Sequence, residues 1–115
     1  MYINNYFVTP VWHEYKPEFV KSLNKASDKY IKEAKKSKES KKWLKDHGDF
    51  GRSWHSTELL SDTKFMDFKN YVGQKCWEFL DHSGFDMSKY TTFFEQCWVQ
   101  EFAKKGGGHH SAHIH

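Results

Sequence analysis

The sequence predicts an α+β domain in which N-terminal helices pack on the first strands of a sheet. Two stretches, residues 18–36 and 65–80, repeat apolar side chains at the spacing of a helix. A third stretch, Thr91 to Ala103, is rich in aromatic and aliphatic residues, as strands are. The chain of 115 residues has the length of a single domain, residues 1–115, with one modest core.

The first predicted element is a short strand, because the residues from Tyr6 to Tyr15 are mostly aromatic or β-branched. Pro10 interrupts this stretch and cannot donate a hydrogen bond to a neighbouring strand, so we expect an edge strand or two pieces. Pro17 then favours the start of a helix, with Glu18 in the first turn.

The first helix is expected from Glu18 to about Lys36, with one side on the protein core. Ser27 is the one polar break in its apolar stripe, and lysines fill the opposite side. Residues 35–46 are mostly Lys, Ser and Glu, and we interpret them either as the solvated end of this helix or as a mobile connection. The stripe consists of Val20, Leu23, Tyr30, Ile31 and Ala34.

A loop with two glycines, residues 47–53, is predicted before the second helix. Ser61 or Asp62 is expected to cap that helix, because a side-chain oxygen there accepts a hydrogen bond from a first-turn amide. Gly84 is expected to end it. The apolar stripe of this second helix consists of Phe65, Phe68, Val72, Cys76, Phe79 and Leu80.

The strand predicted from Thr91 to Ala103 carries apolar side chains on both faces, which indicates burial on both sides. Residues 104–108 are then expected to form a flexible turn, and the next strand to begin near Ser111. Because the chain stops where this second core strand starts, we expect the sheet to be incomplete. One face holds Phe94, Trp98 and Phe102, and the other holds Phe93, Cys97, Val99 and Ala103.

Composition argues against several classes of protein. Hydrophobic residues make up 37% and charged residues 29%, which is typical of a soluble globular protein. No run approaches the roughly 18 apolar residues of a membrane span, and the first residues lack the features of a signal peptide. We therefore expect a cytoplasmic protein without a membrane partner, whose two cysteines, Cys76 and Cys97, are buried free thiols.

The positive charge is almost entirely lysine. The formal net charge is +3, and Arg52 is the only arginine. Proteins that read nucleic acids use arginine for bidentate contacts with phosphate and guanine, so the sequence disfavours nucleic acid as a partner.

The C-terminus is rich in potential metal ligands, since four of the eight histidines lie in the last seven residues. His113 and His115 are two positions apart, so on a strand they point to the same face and can meet one ion. Neutral imidazole binds iron, zinc, copper and nickel. His109 and His110 fall in the preceding turn. Simpler explanations of this histidine cluster are an expression tag, a tail that binds stray metal, or two surface histidines.

At four places, in the same order along the chain, the sequence resembles the 2-oxoglutarate/Fe(II) oxygenases of phage and marine bacteria. These proteins belong to the prolyl-hydroxylase-like part of their superfamily. The places match that family's opening strand, a W-x-S-x-x-L motif, a tryptophan-bearing strand, and a glycine followed by an H-x-H segment. They are residues Phe7 to Trp12, Trp54 to Leu59, Cys97 to Gln100, and Gly108 to His115.

The resemblance implies a double-stranded β-helix, or jelly roll, whose mouth holds iron. It also implies a facial triad of two histidines and a carboxylate, with open positions for 2-oxoglutarate and O2. By this match His113 is the first iron ligand, and His115 occupies the place where the superfamily has Asp or Glu. The later histidine and the basic residue for 2-oxoglutarate are expected beyond the end of the chain. Trp54 and His55 are candidates for lining the site.

The sequence therefore predicts the N-terminal part of an Fe(II)/2-oxoglutarate dioxygenase, inactive alone, that hydroxylates an unidentified substrate and releases succinate and CO2. Two alternatives stay open. One is a non-catalytic, lysine-rich interaction protein that binds an acidic partner by charge. The other is a small zinc module using the terminal histidines, although it lacks cysteines at zinc-site spacing.

Overall fold

Within residues 1–107, three helices and a two-stranded antiparallel sheet make up the fold, which confirms the α+β class. The computed structural model describes residues 1–107. The elements in chain order are α1 (Val20–Ala34), α2 (Lys38–His47), β1 (Ser53–His55), α3 (Met66–His82) and β2 (Gln100–Phe102).

The first helix follows a single 3₁₀ turn, Pro17–Phe19, that carries Glu18, as the sequence predicted. Its buried residues are Ala26 and Ile31. Val20, at the start of the predicted stripe, is 54% exposed. The buried side of α1 is therefore shorter than the predicted apolar stripe, because burial begins about one turn after Val20.

Residues 35–46 were interpreted as the end of the first helix or as a mobile connection, but most of them form a separate helix, α2. The Ser37 hydroxyl caps it by accepting a hydrogen bond from the Ser40 amide at 3.0 Å. The Ser40 side chain is buried and donates to the Ala34 carbonyl at 3.0 Å, which fixes the corner between α1 and α2. Gly48 ends α2 in the left-handed region.

Helix α3 matches the prediction at both ends. The Asp62 carboxylate accepts a hydrogen bond from the Lys64 amide, in a 3₁₀ turn that leads into the helix. Gly84, with φ of +96°, follows its C-terminus. The predicted burial of Cys76 is wrong: Cys76 is exposed and Cys97 is half-buried, both as free thiols.

The sheet is much shorter than the strand predicted from Thr91 to Ala103, because only Gln100–Phe102 pairs with β1. Trp54 lies opposite Glu101 in the antiparallel register. Burial on both sides is also wrong, since Phe93 is 82% and Phe102 is 50% exposed. Cys97 and Val99, on one side of this segment, pack against the core around Leu59.

The strand predicted between Tyr6 and Tyr15 is absent. These residues form no strand, and Phe7 and Val11 are among the most exposed apolar side chains. Strand propensity is expressed through packing against neighbouring strands, and no strand within residues 1–107 lies beside this segment. One anchor is the Tyr71 hydroxyl, which donates a hydrogen bond to the Glu14 carboxylate at 2.5 Å.

The core lies between α1, the start of α3 and the segment after β1. Leu59, which is 1% exposed, is at its centre with Ala26 and Phe65. Half-buried side chains packed against it include Tyr30 and Val99. Within residues 1–107, no helix combines the length and apolar character needed to cross a membrane.

Candidate functional site

The candidate site is the contact between two segments. One begins in β1 and runs from Trp54 to Leu59, and the other runs from Cys97 to Gln100, where β2 begins. Residues 54–59 and 97–100 are two of the four places that carry the family resemblance. They are about forty residues apart in sequence, and the structure places them side by side.

Ser56 joins the two segments by two hydrogen bonds and forms a third within its own segment. Its amide donates to the Val99 carbonyl at 2.9 Å, and its hydroxyl oxygen accepts from the Val99 amide at 3.0 Å. The hydroxyl proton is donated to the Thr57 carbonyl at 2.7 Å. Ser56 is 5% exposed, so water does not replace these bonds easily. The serine of the motif therefore continues the strand pairing beyond the end of β1.

Glu58 extends this contact by one further step. Its carboxylate accepts hydrogen bonds from the Leu59 and Leu60 amides at 2.7 Å and from the Cys97 amide at 3.0 Å. Loss of surrounding water raises the pKa of Glu58, but these three amides and the charge of Lys69 outweigh it, so the pKa lies below its usual value. The charged Glu58 carboxylate therefore links the loop after β1 to the segment that leads into β2.

Trp54 is a core residue rather than an open wall of a site. It is 2% exposed, and the Lys35 ammonium lies 4.6 Å from the centre of its ring. Lys35 also forms an ion pair with Glu101, directly opposite Trp54 on β2. The indole Nε1 is buried and has no hydrogen-bond partner within residues 1–107. This arrangement fastens the end of α1 to the sheet.

His55 has the opposite orientation and faces solvent. Its ring stacks on Trp98 with centroids 5.0 Å apart. Its Nδ1 lies 2.7 Å from the Ser56 carbonyl oxygen, which can only accept, so Nδ1 carries the proton in this contact. In the neutral ring Nε2 then keeps its lone pair, which is the state that accepts a proton or a metal ion.

The turn after β2 is tied to the loop that precedes β1. The Gly51 amide donates to the Lys105 carbonyl at 2.8 Å, and Phe50 and Lys105 form an isolated bridge. A Cβ placed on Gly106 would lie 2.6 Å from the Phe50 ring, so this crossing requires glycine. The chain is held in this way up to the last residues before the histidine-rich segment.

The predicted iron ligands, His113 and His115, lie outside the described residues, as do His109 and His110. Within residues 1–107, no three histidine, cysteine or carboxylate side chains come together in a way that could hold a metal ion. Among the described residues, His55 is an exposed imidazole on the surface formed by the two matched segments.

Cys97 does not have the environment of a nucleophile. Partial burial, followed by the negative charge of Glu58, raises the pKa of the Cys97 thiol. The thiol form is therefore favoured at neutral pH, and the thiolate is the reactive species.

A polar groove of about 500 Å³ runs beside β2, between that strand and α1. Asp28 and Ser27 line it from the helix, and Gln100 and Glu101 line it from the strand. The Gln100 amide group donates a hydrogen bond to the Ser53 hydroxyl across the sheet at 3.0 Å. Trp54 and His55 were candidates from the sequence, whereas the roles of Ser56 and Glu58 depend on partners about forty residues away.

The comparisons with known proteins do not add a relative. No family model, no curated protein and no solved structure matches this chain.

Proposed function

We propose that this chain is the N-terminal part of an Fe(II)/2-oxoglutarate-dependent dioxygenase with a double-stranded β-helix fold. In this proposal β1 and β2 belong to the jelly roll, and His113 and His115 begin the iron site. The reaction oxidises 2-oxoglutarate to succinate and CO2 with O2, and places the second oxygen atom in a C–H bond of the substrate.

The supporting observation is the interlock of Trp54–Leu59 with Cys97–Gln100. Ser56 and Glu58 bind the amides of Val99 and Cys97, so the two matched segments form one structural unit. The tryptophan-bearing segment is therefore fixed in place before the chain reaches the histidines. A rigid neighbouring strand is what a metal site needs to hold its ligands in a defined geometry.

The donor chemistry fits iron in part. The proposed H-x-H pair supplies imidazole nitrogens, which suit Fe(II), and residues 1–107 contain no further cluster of ligands. The proposal therefore requires a third ligand, and a cation for the 2-oxoglutarate carboxylate, from a longer form of the chain. When bound, iron supplies the oxidising chemistry, whereas the protein orients the substrate and excludes water.

Metal binding tests this proposal. A gene product extended beyond His115 should bind Fe(II) and 2-oxoglutarate together under argon, detected as a visible charge-transfer absorption. His113→Ala should abolish that absorption, and the control His13→Ala, on an exposed residue far along the chain, should preserve it. The 115-residue chain should not retain stoichiometric iron after desalting. Tight stoichiometric zinc in that chain would instead support the zinc module.

A further inference from the structure

The charge of the chain is distributed unevenly. Residues 20–47 hold ten lysines and four carboxylates, a net charge of +6. All the other residues together hold eight basic and eleven acidic side chains, a net charge of −3. The positive charge is therefore concentrated on α1, α2 and the corner that joins them.

Most of these lysines are not engaged within the protein. Three of the ten form ion pairs, Lys29 with Asp62, Lys35 with Glu101 and Lys36 with Glu33. The other seven are exposed, and none of their side-chain ammonium groups has an ion-pair or hydrogen-bond partner within residues 1–107. They are Lys21, Lys25, Lys32, Lys38, Lys41, Lys42 and Lys45.

The seven lysines lie on the solvent side of each helix. At about 100° per residue, the three on α1 fall within an arc of about 40°, opposite Leu23 and Tyr30. The four on α2 fall within an arc of about 100°, opposite the buried Ser40. We call these two arcs the lysine faces; no apolar residue of either helix falls between the lysines.

The lysine face of α2 lowers the stability of the helix that carries it. Lys38 is three and four positions from Lys41 and Lys42, and Lys45 is three and four positions from the same two residues. Like charges at these spacings destabilise a helix, and Lys38 also lies at the positive end of the helix dipole. The one acid in the first turn, Glu39, is committed to Arg52 at 2.9 Å. Stability of the folded chain therefore does not explain this arrangement.

We propose that the lysine faces of α1 and α2 bind the phosphate backbone of nucleic acid without reading its sequence. Three ammonium groups lie on one side of α1 and four on one side of α2, so each helix offers several cations to closely spaced phosphates. Lysine binds phosphate as a point charge, so the scarcity of arginine argues against base recognition but not against this contact. The one arginine, Arg52, is held by Glu39 and lies over Trp43.

The geometry favours nucleic acid over an anionic membrane. A helix that lies in a membrane surface inserts its apolar side into lipid. The inward sides of α1 and α2 instead pack on the protein: Ile31 of α1 is buried, and Trp43 and Leu44 of α2 are half-buried. This proposal does not depend on iron, so it stands or fails separately from the proposed oxygenase function.

Fluorescence anisotropy with a labelled 30-base-pair DNA duplex tests the proposal, using the 115-residue chain with EDTA present. Binding should weaken steeply as salt rises, because each phosphate contact adds about 0.9 to the slope of log K against log salt. Replacing Lys38, Lys41, Lys42 and Lys45 by Gln should lower that slope by up to about 3.6. Glutamine keeps a similar helix propensity and removes the like-charge repulsion, so this variant should fold at least as well.

A matched control replaces four other exposed lysines by Gln, with the same change in net charge: Lys64, Lys89, Lys104 and Lys105. Its salt slope should change by less than one contact, about 0.9. Equal losses in the two variants would overturn the proposal, because the effect would then follow net charge alone. Absence of binding at low salt with about 100 μM protein would also overturn it. So would stronger binding to phosphatidylserine vesicles or to polyglutamate than to the duplex.

Discussion

Ser56→Ala should weaken the contact between the two matched segments and destabilise the whole chain. The substitution removes the acceptor for the Val99 amide and leaves Val99 paired only through its carbonyl. Ser56 is 5% exposed, so water does not readily take the place of the hydroxyl. Leaving a buried donor without a partner costs about 1–3 kcal/mol.

Urea unfolding followed by tryptophan fluorescence measures this loss. With a slope of about 1.5 kcal/mol per molar urea, the midpoint should fall by about 0.7–2 M. Ser83→Ala is the matched control, because that hydroxyl is exposed and donates only to the Phe79 carbonyl of its own helix. The control should change stability by no more than about 0.5 kcal/mol.

Hydrogen exchange adds a local measurement at the same site. The Val99 amide should exchange faster in Ser56→Ala by more than any change in global stability explains. If Ser56→Ala and Ser83→Ala have the same midpoint, and Val99 exchanges as in the parent chain, then Ser56 does not join the two segments as inferred.

Four further substitutions probe the core, the helix cap and two glycines. Leu59→Ala should cost about 2–5 kcal/mol in urea unfolding, because Leu59 is 1% exposed, and a loss below about 1 kcal/mol would contradict its central place. A hydrogen bond from the Tyr30 hydroxyl is the main reason that the pKa of Asp62 is lowered to about 2. The stability that Asp62 confers should therefore be full above about pH 4 and be lost as the pH falls towards 2, and Asp62→Asn should flatten the urea midpoint over that range. Gly106→Ala should cost about 1–2 kcal/mol, because the φ of Gly106 is +74°. Gly73→Ala inside α3, where a Cβ meets only ordinary contacts, should instead stabilise the chain by about 0.5–1 kcal/mol. Equal effects at the two glycines would refute this reasoning.

Helices α1 and α3 were predictable from the sequence because the signals for them are local. The apolar spacing of α1 and α3, Pro17 at the first helical turn, Asp62 as a cap and Gly84 beyond the C-terminus all act within one or two turns. Such signals do not depend on which distant segment the chain meets later.

Helix α2 was not predicted because its apolar positions are sparse and lysine dominates its composition. Its start depends on Ser37 as a cap, and its position depends on the buried Ser40, which reaches back to the Ala34 carbonyl. A serine that is buried in this way looks the same in sequence as one that faces water.

Residues 6–15 form no strand, and the strand predicted from Thr91 to Ala103 is confirmed only at Gln100–Phe102, because strand composition does not supply a partner. Residues 6–15 have the composition of a strand but no strand beside them within residues 1–107. In the stretch from Thr91 to Ala103, only the last residues pair with β1, while Cys97 and Val99 are held by Glu58 and Ser56. These contacts span about forty residues, so no local pattern announces them.

The candidate site was predictable only as a set of residues. The spacing of His113 and His115 and the motif that begins at Trp54 were visible in the sequence. Pairing with residues 97–102 determines the rest: it buries Trp54, leaves His55 exposed and brings the Cys97 amide to the Glu58 carboxylate.

The most direct test of the proposed oxygenase function is succinate release from a gene product extended beyond His115. The proposal predicts release that requires Fe(II), 2-oxoglutarate and O2, that is lost in His113→Ala, and that persists in the control His13→Ala. Succinate release that is unaffected by His113→Ala, or an extended product that supplies neither a further histidine nor a cationic residue, would contradict it.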